Sequence, residues 1–161
     1  MDGEKVELFL RKIKMPNQNK LDNLFMDIAE RISKESYAIR KKVGAVLVRD
    51  NNIISMGYNG TPKGFDNNCE IETANGLVTN PFVLHAESNV ILKLIYSNNP
   101  VSANGCTIYV TLSPCIECSK MIIQAGIKRV LFREKYRIDD GVEMLRKAGI
   151  TVEYFPGEKN A

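Results

Sequence analysis

The sequence predicts an α/β fold of three layers, α/β/α, around a central mixed five-stranded sheet, and three observations carry that expectation. Apolar stretches at 43–48 and 53–58 flank Arg49-Asp50-Asn51-Asn52, the pattern of a β-hairpin. Beyond Pro81, helix-like and strand-like patterns alternate to the end of the chain, so a hairpin is followed by helix–strand units, which gives a mixed sheet with helices on both faces. A length of 161 residues suits one buried core, and no linker or internal repeat divides it.

Residues 1–20 read as an N-terminal arm with Lys5, Arg11, Lys12 and Lys14; it is solvated unless Val6, Leu8, Phe9, Leu10 and Ile13 pack on a neighbour. A single domain then covers 21–161. Leu24, Phe25, Ile28 and Ile32 recur every three or four residues, which predicts a first helix running to about Tyr37. The hairpin follows. Gly57-Tyr58-Asn59-Gly60-Thr61-Pro62-Lys63-Gly64 is either an ordinary loop or a backbone that a ligand can approach closely, and the chain is expected to stay irregular to Asn80-Pro81. Val90, Ile91, Leu92, Leu94 and Ile95 mark a helix over 85–98. Strand 106–112 contains Ile108-Tyr109-Val110, with Cys106 packing as a small hydrophobe. Helix 115–125 is closed by Gly126 and followed by strand 127–133; helix 139–148 is closed by Gly149 and followed by strand 150–155.

A hydrophobic content of 44% and a charged content of 25% are ordinary for a globular chain. No apolar run has the length of a membrane span and Met1-Asp2-Gly3-Glu4-Lys5 does not open a signal peptide, so the expected location is cytoplasmic, with no membrane partner. The net charge of +3 is too small to imply nucleic acid, yet it is compatible with a small phosphorylated substrate.

Two short pieces carry the chemistry: His85-Ala86-Glu87, and Pro114-Cys115-Ile116-Glu117-Cys118. An imidazole and two thiolates form a three-ligand zinc set, the count of a catalytic site that leaves one position for water. Glu87 is the carboxylate placed to move protons. Both pieces fall on the first turn of a predicted helix, where the dipole and free N–H groups favour anionic ligands. Competing readings are a redox C-x-x-C, which Pro114 and the absence of a neighbouring aromatic or glycine disfavour, and a structural zinc knuckle. Since His85 is the single histidine, such a knuckle would need Cys69 or Cys106 as its fourth ligand. Glu87 could also be a plain first-turn acid, as Glu117 is read to be. The H-x-E…P-C-x-x-C pattern is that of zinc-dependent nucleobase deaminases.

From about Leu24 to Phe155 the chain resembles the deoxycytidylate (dCMP) deaminases of the cytidine deaminase superfamily. The resemblance lies in Val43-Gly44-Ala45, Gly57-Tyr58-Asn59-Gly60, His85-Ala86-Glu87-Ser88-Asn89, Thr111-Leu112-Ser113-Pro114-Cys115-Ile116-Glu117-Cys118 and Ile122-Ile123-Gln124-Ala125-Gly126-Ile127-Lys128. It implies hydrolysis of dCMP to dUMP and ammonia, supplying dUMP for thymidylate synthesis. It also implies zinc on His85, Cys115 and Cys118, with Glu87 as proton carrier. Base recognition falls on the Ala86 N–H and the carbonyl near Ser113, the sugar on Asn59, and the phosphate on Ser36, Lys42 and Tyr136. Relatives are commonly hexamers activated by dCTP and inhibited by dTTP with magnesium; the corresponding candidates here are Gly60, Lys63, Gly64 and Phe65. Where some viral relatives carry cysteines for a second zinc, this chain has Ala38-Ile39, so one zinc per subunit is expected. A deaminase of dCTP, of a free base or of tRNA adenosine, and a non-catalytic zinc protein, remain the alternatives.

Overall fold

A computed structural model describes residue 3 and residues 17–157. The helices and strands are, in chain order, α1 (Gln18–Ser33), β1 (Gly44–Arg49), β2 (Asn52–Tyr58), β3 (Glu70–Thr73), β4 (Gly76–Thr79), α2 (Ala86–Tyr96), β5 (Thr107–Leu112), α3 (Ile116–Gln124), β6 (Arg129–Glu134), α4 (Asp140–Lys147) and β7 (Thr151–Tyr154). The expected N-terminal arm lies outside the described residues for most of its length, and its last three positions, 18–20, open α1 instead. Among the described residues no helix is long and apolar enough to cross a membrane.

The sheet has five strands in the order β2-β1-β5-β6-β7. β1 is antiparallel to β2 and β5, whereas β5, β6 and β7 run parallel, so the sheet is mixed. The β1–β2 turn places Asp50 (φ 48°) and Asn51 (φ 61°) in the left-handed region, which Asp and Asn tolerate and which a two-residue hairpin needs. Alternation along β1 divides the core. Val46 and Val48 meet Phe25, Met26 and Ala29 of α1, with Tyr109 and Leu131; Ala45 and Leu47 face the opposite layer of α2, α3 and α4 through Ala86, Val90, Leu94, Ile122, Val142 and Leu145. The α/β/α expectation is met.

Two local readings are corrected. α1 stops at Ser33, short of Tyr37, because the apolar recurrence ends at Ile32 and Ser36 turns away to donate its hydroxyl to the Asn59 carbonyl at 2.8 Å. The stretch to Asn80 is not irregular throughout, since β3 and β4 pair as a separate two-stranded hairpin. Apart from Glu70 all its residues are exposed, Ile71, Leu77 and Val78 included, so it buries no apolar face that would impose a period on the sequence.

Candidate active site

The C-terminal ends of β5 and β6 lie beside the start of β1 and the end of β2, through the register Leu112↔Glu134, Ala45↔Val110 and Gly44↔Tyr58. At that edge of the sheet the chain leaves β5 through Ser113-Pro114 into α3, and enters α2 from a bridge between Gly60 and Leu84. His85 and Cys115 stand one position earlier than expected, as the N-caps of α2 and α3, while Glu87 and Cys118 lie within the helices. His85 Nδ1 is 3.5 Å from Cys115 Sγ and 3.3 Å from Cys118 Sγ. Bond lengths of ~2.0–2.1 Å to nitrogen and ~2.3 Å to sulfur set a ligand separation of about 3.6 Å around a tetrahedral zinc. The donor set therefore fits zinc in both chemistry and spacing. Among the described residues it is the one group of three or more His, Cys, Asp or Glu side chains close enough to share an ion.

The groups of the site shift one another in opposite directions. Hydrogen bonds from Cys118 and His85 pull the Cys115 thiol down to about 3. The proton Cys118 gives Cys115, together with burial, drives Cys118 the other way. His85 is raised, first by its bond to Cys115 and despite burial. Glu87 is 4% exposed, and burial pushes its carboxyl up to about 6 against its own backbone N–H and the His85 charge.

A cavity of about 330 Å³ opens over this set. Of the residues expected at a substrate, Asn59, Ala86, Ser113 and Tyr136 line it with His85, Glu87 and Cys115. Asn59 is fixed at both ends of its amide: Oδ1 accepts from Val43 N at 2.9 Å and Nδ2 donates to Lys41 O at 2.9 Å. Ser113 Oγ accepts from Tyr136 N at 2.6 Å, which ties the β6–α4 connection to the loop leading to Cys115. Asn89 Nδ2 donates to Tyr58 O at 2.6 Å, joining the glycine-rich stretch to the first turn of α2.

A profile for the cytidine and deoxycytidylate deaminase zinc-binding region matches residues 19–134. The chain belongs to this deaminase family. It is 33% identical to the deoxycytidylate deaminase of Schizosaccharomyces pombe over 94% of this chain and 50% of that protein. It is 38% identical to the human deoxycytidylate deaminase over 81% of this chain and 77% of that one. The chain thus spans about half the length of the yeast relatives it matches. The crystal structure of dCMP deaminase from the cyanophage S-TIM5 in complex with dCMP and dUMP is similar at a TM-score of 0.78 and 44% identity, covering 88% of this chain and 99% of that one.

In this deaminase-family chain two of the expected phosphate residues do not line the cavity. Ser36 is buried and bonded to the Asn59 carbonyl, and Lys42 is exposed, its Nζ 3.4 Å from Lys34 O. The cations that do line it are Arg40, Lys41 and Arg137, accompanied by Glu70 and Thr79 of the hairpin. The run Arg40-Lys41-Lys42 is visible in the sequence, but nothing local tells which of the three turns inward. Gly60, Lys63, Gly64 and Phe65 all lie outside the cavity lining. Gly60 exchanges backbone hydrogen bonds with Leu84, Lys63 Nζ sits 3.7 Å from the centre of the Tyr96 ring, Gly64 has φ 87°, and Phe65 meets Phe82 edge-on at 5.4 Å. Cys106 is fully buried, as its strand-packing role requires, and neither it nor Cys69 joins the ligand set.

Proposed function

We propose that this chain is a zinc-dependent hydrolytic deaminase that converts dCMP and water to dUMP and ammonia. The observation that carries this reading is one cavity lined by His85, Cys115 and the buried Glu87, with Cys118 Sγ behind them against His85, and a cationic rim. The similarity to a phage enzyme solved with dCMP and dUMP supports the substrate.

His85, Cys115 and Cys118 would hold the ion, one per subunit. Zinc supplies a Lewis acid at which the pKa of water falls toward neutrality. Glu87 takes one proton from the attacking water and delivers it to N3 of cytosine as C4 is attacked. It then takes the second proton from the hydroxyl now on C4 and gives it to the amine, which leaves as ammonia as the C4 carbonyl forms. Burial suits this task, because a carboxyl lifted toward neutrality both accepts and returns a proton readily. The Ala86 N–H donates to the base carbonyl and the Ser113 carbonyl accepts from the exocyclic amine. Asn59 meets the sugar. Arg40, Lys41 and Arg137, with Tyr136, receive the phosphate; Lys41 is partly neutralised by its ion pair with Glu134, which leaves the two guanidiniums to match a dianion.

Allosteric control by dCTP (activating) and dTTP (inhibiting), each with magnesium, belongs to the same reading, with the nucleotide at Gly60, Lys63, Gly64 and Phe65. Support comes from the glycine-rich backbone of that stretch, which a triphosphate can approach closely, and from the Lys63 cation within it. A homo-oligomer, with a hexamer as the expected size, is consistent with the exposed Leu92, Ile95 and Tyr96 of α2. The dUMP produced would feed thymidylate synthesis.

The test is a deamination panel on zinc-loaded protein, following the ultraviolet change from cytosine to uracil with dCMP, dCTP, deoxycytidine and CMP, each with and without dCTP or dTTP plus magnesium. Turnover of dCMP, raised by dCTP and lowered by dTTP, is the expected result. A dCMP that stays intact under every condition would overturn the substrate assignment.

A further inference from the structure

We infer that Glu70 is a positioning residue through which the β3–β4 hairpin sets the cationic rim that reads the substrate's phosphate; this rests on the monophosphate reading above. Glu70 opens the hairpin and is 6% exposed, whereas the other three residues of β3 and all four of β4 are exposed. A buried carboxylate must be compensated by partners. Those partners are main-chain donors: one oxygen, Oε1, accepts from Ile39 N at 2.9 Å and from Arg40 N at 3.1 Å. Among the described residues no Lys or Arg forms an ion pair with it.

The segment it grips has no helix or strand of its own, lying between α1 and β1, so its shape depends on ties from elsewhere. Asn59 holds Lys41 and Val43; Glu70 holds Ile39 and Arg40. The hairpin also secures the Arg40 side chain, whose Nη1 donates to Thr79 Oγ1 at 3.2 Å. Arg40 is therefore held at its backbone by β3 and at its guanidinium by β4. Arg40, Lys41, Glu70 and Thr79 share the cavity wall with Arg137.

Charge and position make opposite demands on Glu70, which makes the inference testable. As a bare negative charge it would repel a phosphate, so its removal would tighten binding; as an anchor it holds the rim cations in place, so its removal would weaken binding. Glu70→Ala removes both the charge and the acceptor. Glu70→Gln removes the charge and keeps an acceptor oxygen of the same reach.

The experiment is steady-state deamination of dCMP by the zinc-loaded full chain, with dUMP and deoxyuridine as product-type inhibitors. In Glu70→Ala we expect KM for dCMP to rise about tenfold, the worth of roughly one hydrogen bond to a charged group, with kcat within about twofold. The dUMP inhibition constant should rise in parallel while that of deoxyuridine stays unchanged, a selective loss that general destabilisation would not produce. Glu70→Gln should restore KM to the wild-type value or below. An unchanged or lowered KM in Glu70→Ala would overturn the inference. Should that variant fail to fold, Glu70→Asp keeps the charge but withdraws the acceptor by one methylene: a raised KM supports the anchor, and a wild-type KM overturns it. A wild-type enzyme inhibited equally by dUMP and deoxyuridine would instead overturn the phosphate reading itself, whereas a phosphate-dependent wild type with an indifferent Glu70→Ala would overturn only the role of Glu70.

Discussion

Beneath α1, on the sheet face away from the α2–α4 layer, Asp22 is 3% exposed and accepts from Arg129 Nη1 at 2.8 Å and Nη2 at 2.7 Å and from the Tyr109 hydroxyl at 2.6 Å. In Asp22→Asn the new amide N–H₂ would meet one of the guanidinium nitrogens that now donate to a carboxylate oxygen, so a donor faces a donor in a buried place. Removing one member of a buried ion pair costs ~3–5 kcal/mol. Two features reduce that here: Arg129 is 24% exposed at its side chain and keeps Glu153 at 2.6 Å, and the substituted amide retains one acceptor oxygen. A loss of about 2 kcal/mol at pH 7 follows, and at ~2–4 °C per kcal/mol for a chain of this size the melting temperature should fall by about 4–8 °C. Burial alone would raise the Asp22 pKa, but the bonds from Arg129, Tyr109 and Gln18 and the Arg129 charge outweigh it and hold the carboxyl below its ordinary value. A depressed folded pKa contributes stability that is present above the unfolded value of ~3.9 and is lost as pH falls through the folded one. The difference between wild type and variant should therefore be complete at pH 7 and pH 5 and shrink below about pH 4. Urea unfolding of both proteins at these pH values measures it, and metal release common to both cancels in the difference. A variant within about 0.5 kcal/mol of wild type at pH 7, the range of an ordinary surface substitution, would refute the reasoning. So would a gap that widens on acidification.

Other outcomes follow from the site. Glu87→Ala should lower kcat by about 10²–10⁴-fold, the usual worth of a positioned proton carrier, while zinc content measured by elemental analysis stays at one per subunit; a non-catalytic zinc protein would have no turnover for the substitution to remove. Gly141→Ala would drive a Cβ into the Pro114 carbonyl oxygen, 2.7 Å from Ser119 Oγ and 2.8 Å from the Cys115 carbonyl carbon, so α4 and the loop carrying Cys115 must move apart. It should release zinc to a chelator faster than wild type. Asp22→Asn serves as the control, since it lowers stability on the other face and should leave the release rate alone.

Much of this architecture is legible in the chain because the signals are local. Asp50-Asn51 between two apolar stretches marks a hairpin by backbone preference alone. The three-to-four-residue recurrence in α1 and α2 and the closing Gly126 and Gly149, both at positive φ, mark helices and their ends. The candidate ligand residues can be read for the same reason: each piece of the set is only a few residues long, and one imidazole with two thiols is a donor set that suits zinc. Element ends are less legible. The sequence pattern carries α1 four residues too far, because the contact that diverts Ser36 comes from Asn59, 23 positions along the chain.

What the sequence by itself determined, then, is the α/β class, the order of the helices and central-sheet strands, and the candidate cluster of His85, Cys115, Cys118 and Glu87. Tertiary structure alone decided which cations face the cavity. Arg40, Lys41 and Lys42 are adjacent and nearly equivalent in type, and the segment bearing them has no period of its own. Its conformation is imposed by Glu70 from 31 positions beyond Ile39 and by Asn59 from 18 positions beyond Lys41. The hairpin bearing Glu70 was hidden as well, because its strands bury nothing else and so leave no hydrophobic pattern. Periodicity reports what a segment buries; it does not report a segment whose structural contribution is one carboxylate accepting two distant backbone N–H groups and one hydroxyl accepting from the Arg40 guanidinium.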